Sequence, residues 1–550
     1  MRLDDIPLEL EPIAGAVQAW HAVVDAETWR GACSQASGMQ GRLIALWGSD
    51  RGTGAAEDGR IAGADAGRIA VHAVLAVQSS LVWLTHLAID ETFPDIADIF
   101  PAANRMQRAA FDLAGVRAVP ARDVRPWIRH GAWPADGFPL RKDFDPQSRF
   151  TNLPDNYPFV RVEGDGVHEI PVGPVHAGTI EPGHFRFSVL GERVLRLEEH
   201  LGYKHKGIEK RFEQMTLVEG ARLAGRISGD ATVAYAWAYA MAVESATECP
   251  APSRALWLRA LFLERERIAN HLGDLGFLGN DAGFAFGLSQ FSRLKEDMVR
   301  LHHELFGHRY LMDAIVPGGV ARDIDAIGLS QISSQSDMLR AAIEELHQIY
   351  DDHAGVQDRF NATGTVTPEL ARQLGLTGPA GRASGVAFDA RVQNRSAPYD
   401  ELDCRLVSHA QGDVAARARQ RFDEAIESLR LCDVIVGRLS DSGGVGDVGD
   451  LDSDGSGDAG RGGGLQRSAI ATDLPPLHRD AIGLGFVESW RGPVMIAIEA
   501  RAGHRIDRLH AHDPSWQNWP VLEHAIIGNI VPDFPLINKS FNLSYSGHDL

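Results

Sequence analysis

The hydrophobic period changes along this chain, and that change limits what it can fold into. Leu339, Ile343, Leu346 and Tyr350 step by four, three and four, which puts apolar side chains on one face of an α-helix. Trp257, Leu261, Ile268 and Leu272 lie on a second such face. The first part reads differently: "RLIALWGSD", "GRIAVHAVLAVQ" and "LVWLTHLAID" are short apolar or β-branched runs bounded by Gly, Asp or Ser, the pattern of strands. Helical spacing follows in "IADIFPAANRMQRAAFDLAG". With 550 residues the chain exceeds the roughly 250 to 300 over which one core grows. The expected architecture is α+β. A small N-terminal α/β domain covers residues 1–148, a polar linker 149–165 and a mainly helical bundle domain 166–550, with a flexible acidic insertion at 440–467.

That insertion holds two formal motifs. Gly444-Val445-Gly446-Asp447-Val448-Gly449 matches the dinucleotide glycine pattern, but no helix follows it and its acids would repel a pyrophosphate. Asp450, Asp452, Asp454 and Gly455 match the front of a calcium loop, yet the twelfth position is Arg461 rather than a bidentate Glu. A flexible acidic segment is the expectation. The net charge of -20 argues against nucleic acid or an anionic lipid surface as partner, since both need clustered Lys and Arg. Cys33, Cys249, Cys404 and Cys432 are scattered without a Cys-x-x-Cys pair, so neither a disulfide framework nor a cysteine-held cluster is expected. The longest apolar run, "ATVAYAWAYAMAV" between Asp230 and Glu244, is shorter than the roughly 18 residues of a spanning helix. It reads as a core helix.

"GPVHAGTIEPGHFRF", "LGYKHKGIEKRFE", "RASGVAFDARVQNRSAPY" and "NWPVLEHAIIGNIVPDFPL" occur in the order found in large subunits of membrane-bound [NiFe] hydrogenases of the formate hydrogenlyase type. The chain resembles that family, which is homologous to the quinone-site subunit of complex I. "FPAAN", "FDLAGV" and "GFPLRKDF" resemble the small complex I subunit fused in front of it. In the family, four thiolates come as Arg-x-Cys-Gly-x-Cys and Asp-Pro-Cys-x-x-Cys. Here the first motif reads Arg226-Ile227-Ser228-Gly229-Asp230-Ala231 and the second Asn542-Leu543-Ser544-Tyr545-Ser546-Gly547. Ser228, Ala231, Ser544 and Gly547 are therefore degenerate ligand positions. A hydroxyl is a hard, neutral donor where nickel and iron need soft, deprotonated sulfur, so no metal is expected on this chain.

The resemblance implies a cleft that in complex I takes a quinone. The Tyr that anchors it aligns with Gly229, while Asp281 matches the family's Asp; His176 and His184 both remain candidates for the hairpin His. A His with an Asp behind it can protonate a reduced quinone, although either His could equally be a structural loop residue. Glu209 sits where hydrogenases place a proton-transfer glutamate, or else makes an ordinary charged helix start with Lys206, Lys210 or Arg211. Asp389, Arg391 and Arg491 match positions lining the cleft. Glu264 and Arg267 are spaced for a buried ion pair, and His510 and His512 for one face of a strand. The implied protein is an oxidoreductase subunit that binds no cofactor of its own and passes electrons from the 4Fe-4S cluster of a small iron–sulfur partner toward a quinone. NAD(H) would act only through other chains. The implied place is the cytoplasmic side of the inner membrane, held through membrane-embedded ion-translocating subunits. The alternative is a non-catalytic coupling subunit of the same kind of complex.

Overall fold

A computed structural model of the protein describes residues 8–52, 68–154, 156–177, 180–441 and 470–550. The fold is α+β. Five strands, β1 (Glu11–Ile13), β2 (Ala19–Val24), β3 (Arg42–Asp50), β4 (Ile69–Val77) and β5 (Ser80–Ala88), form one sheet in the order β1-β2-β5-β4-β3. Within this sheet β2 and β5 alone pair in parallel, which the helix Ala26–Gly38 after β2 makes topologically possible. Helix formation in "IADIFPAANRMQRAAFDLAG" is confined to Ala103–Ala114. The preceding residues turn instead, because Asp95 accepts a hydrogen bond from the Ala97 amide (2.9 Å) and Pro101 disfavours the α conformation at Phe100.

The second region is built on long helices. Thr232–Thr247, Ser253–Asp281, Ala285–Phe306, Ala326–Asp352 and Val414–Asp441 carry it, and Leu339, Ile343, Leu346 and Tyr350 are all buried. Every residue of Thr232–Thr247 is buried. This helix lies directly on the antiparallel sheet of Ala481–Ser489, Gly492–Arg501 and Arg505–His512. Gly483 and Gly485 allow the approach: a Cβ at either would collide with a carbonyl oxygen of the helix, Ala242 or Ala238. Ser440 and Asp441 end the last long helix; the glycine and calcium-loop patterns of the acidic insertion lie outside the described residues.

Polar contacts join the two regions. Arg508 donates to the Gly48 carbonyl (3.3 Å) and to Glu209 (2.9 Å). Trp47 stacks on His510 with centroids 4.5 Å apart. Arg105 reaches Glu199 and Glu523 at 3.1 and 2.7 Å. No helix among the described residues is long and apolar enough to cross a membrane.

Candidate functional site

The two degenerate motifs meet. Ser228 lies in the turn before the helix Thr232–Thr247, and Ser544 N-caps the last helix, Tyr545–Asp549, by accepting from the Gly547 amide at 2.8 Å. Their hydroxyl oxygens are 3.1 Å apart, and Ser228 also donates to Asp230 at 2.8 Å. Asn542 shapes the approach to this turn: it ends the helix Phe534–Phe541 in the left-handed conformation that asparagine tolerates. Arg491 grips the Asp230 carboxylate with both terminal nitrogens and donates through Nε to the Asn542 carbonyl (2.5 Å).

A buried carboxylate fills the remaining space. Asp513 accepts from the Tyr235 hydroxyl (2.7 Å) and from the Ser515 amide (2.8 Å). A Cβ at Gly547 would overlap its Oδ2 atom. A nickel–iron centre therefore does not fit here. Two positions offer hydroxyls bonded to each other, Ala231 offers a methyl group, and the space beside Gly547 belongs to a fixed carboxylate.

The other sequence candidates fall into separate places. Glu209 is buried and receives Arg508 at 2.9 Å and His510 at 2.7 Å. Burial alone would raise its carboxyl, but Arg508 and His510 outweigh it and hold Glu209 at about 2. His176 hydrogen-bonds the Gly183 carbonyl at 2.8 Å, and His184 faces the Gly173 carbonyl at 3.3 Å, both on the front hairpin. Asp281, at the end of its helix, pairs with Lys539 at 2.8 Å. His510 and His512 share a strand with ring centroids 6.3 Å apart, but His512 bonds Gln517, and no cluster able to hold a metal occurs among the described residues.

Asp389 and Arg391 lie deeper, in a buried ionic network. Arg391 bonds Asp389 (2.7 Å) and Glu264 (2.9 Å), and Arg267 lies 3.4 Å from Glu264. Arg382 bonds Glu424 (2.8 Å) and Glu488 (2.7 Å), and His271 bonds Glu424 (3.0 Å). Four carboxylates, Glu264, Asp389, Glu424 and Glu488, thus share three guanidinium groups. Burial, then Asp389, push the Glu488 carboxyl up, while Arg382, Arg267 and the Ala390 amide pull it down.

Formate hydrogenlyase subunit 5 of Escherichia coli is 30% identical to this chain over 493 residues, which are 88% of the chain and 82% of that relative. The chain belongs to the formate hydrogenlyase subunit 5 family. Its two regions carry two family signatures: residues 22–150 match the respiratory-chain NADH dehydrogenase 30 Kd subunit, and residues 281–453 match the 49 Kd subunit. The C/D subunit of NADH-quinone oxidoreductase from Phocaeicola vulgatus is 28% identical over 364 residues, 63% of the chain and 70% of that relative. A chain of the membrane-bound sulfane sulfur reductase, an archaeal respiratory membrane complex, superposes with a TM-score of 0.61 at 26% identity, covering 70% of this chain and 99% of that one. This member of the formate hydrogenlyase subunit 5 family is thus a complex I-like subunit related to membrane hydrogenases.

Within that family frame, motif spacing pointed to Ser228, Ser544 and Gly547, but sequence reasoning passed over Asp513 and Tyr235. Asp513 stands in "LHAHDPSW", where the histidines drew attention, and Tyr235 in the run read as pure core.

Proposed function

We propose that the chain is the large subunit of a membrane-associated, complex I-like oxidoreductase that has lost its nickel–iron site and passes electrons toward a quinone or similar two-electron acceptor. A small iron–sulfur subunit would supply the electrons. Membrane-embedded subunits would hold the chain on the cytoplasmic side of the inner membrane, and NAD(H) would act only through other chains. The observation that carries this reading is the Ser228–Ser544 contact beside the Asp513 carboxylate: the fold still brings the ligand positions together, but with donors that bind no soft metal. His176 or His184 and Asp281 remain the candidates for protonating the acceptor, and Glu209, Asp389, Arg391 and Arg491 the groups that order the surrounding protein.

A purely coupling role is favoured by one observation, the engagement of Asp281 with Lys539. The two roles separate in the complex carrying Asp281→Asn. The catalytic reading expects quinone-dependent electron transfer to fall at least tenfold with the complex intact, in line with general acid–base contributions of about 10²-fold or more. Unchanged transfer would favour the coupling role.

A further inference from the structure

Next to Gly229 lies a small cavity lined by Asp230, Glu266, Asn270, Lys295 and Arg309. Gly229 itself is exposed at the rim, at the position the family resemblance gives to the quinone-anchoring Tyr. Its volume, about 10 Å³, is near the lower limit for one water molecule. The two acids are held differently. Asp230 is locked to Arg491. Glu266 is buried and receives only backbone amides, from Val233 (2.7 Å) and Ala234 (3.2 Å) at the start of the helix Thr232–Thr247, with no ion pair among the described residues.

A buried carboxylate without a cation is costly, and the neutral acid is the cheaper form. We propose that Glu266 is a proton donor to the acceptor reduced at this cleft, acting directly or through one water in the cavity beside Gly229. This rests on the quinone reading above. Two electrons from the partner's iron–sulfur cluster reduce the quinone, the Glu266 carboxylic acid gives one proton to one quinone oxygen, and the second oxygen takes its proton from His176 or His184 with Asp281, so that the quinol leaves. The resulting carboxylate takes a proton back from solvent.

The surroundings agree with a group that titrates within the working range. Burial raises the Glu266 carboxyl, the Val233 and Ala234 amides lower it, Asp230 raises it and Arg267 lowers it, leaving it at about 8. Lys295, Arg309 and Tyr310 also face the cavity, as does His302, which burial and Arg265 keep neutral. Because the protonated form is the donor, the rate should fall as pH rises through about 8.

Glu266→Gln tests this in the intact complex, since the amide oxygen can still accept from Val233. Expected are a loss of kcat of about 10²-fold with KM little changed, disappearance of the alkaline limb of the pH–rate profile, and normal assembly. In difference infrared spectra, a carboxylic acid band titrating near pH 8 should vanish in the variant, a readout that needs no turnover. Activity and profile equal to wild type, a slowed enzyme with the alkaline limb intact, or no such band would each overturn the proposal. A wild-type complex without quinone reductase activity would instead overturn the quinone reading, and this donor role with it.

Discussion

Arg382→Met is expected to destabilise the protein by about 3–5 kcal/mol, enough to abolish folding in a marginal domain. The side chain is 1% exposed and lies 2.8 Å from Glu424, 2.7 Å from Glu488 and 3.6 Å from Asp389. It also donates to the Phe388 carbonyl at 3.0 Å. Removing one cation leaves three carboxyl groups facing each other in the core, and their mutual repulsion adds to the desolvation that Arg382 had offset. Arg382→Lys should recover little, because an ammonium cannot present the planar fork that reaches Glu424 and Glu488 together. Urea unfolding of the purified chain measures the effect. A loss below about 1 kcal/mol, the range of exposed ion pairs, would mean that this network is solvated.

The second large effect concerns the turn where Ser228, Ser544 and Gly547 meet Asp513. Gly547→Ala places a methyl group against Asp513 Oδ2, and Asp513 cannot swing away without releasing the Tyr235 hydroxyl and the Ser515 amide. Overpacking of this kind costs about 1–3 kcal/mol, and Gly547→Cys should cost at least as much. In an Asp513→Ala background the same methyl group loses its overlap with the carboxylate and meets only the Ser544 hydroxyl at 2.9 Å, so the two substitutions should be non-additive. Asp513→Ala alone also destabilises, since it leaves a buried hydroxyl without its acceptor. Additive losses would show that the carboxylate does not occupy the space beside Gly547. Restoring cysteines alone therefore does not restore the ligand geometry.

Where one residue's neighbours are set by chain spacing, the sequence was readable. The strands at Arg42–Asp50, Ile69–Val77 and Ser80–Ala88 and the helix carrying Leu339 and Tyr350 follow from period and boundary residues alone. Ser228 and Ser544 were found because each holds a fixed place in a short motif. Asp513 was not, because it reaches Gly547 only through the turn between the strand Arg505–His512 and the helix Ser515–Ala525. Glu266 is intermediate. Glu264, Arg267 and His271 share one helix face, whereas Glu266 and Asn270, four residues apart, share another and reach the cavity at Gly229. That spacing was visible, but nothing local says which face meets a void. The partners of Asp389 and Arg391 were equally hidden, since Glu264 comes from a different helix.

The most direct test is a metal count on the complex purified through this chain. The account predicts no nickel, with all iron attributable to the clusters of partner subunits. Nickel at about one atom per copy would contradict it, because Ser228, Ala231, Ser544 and Gly547 supply no thiolate to hold the metal.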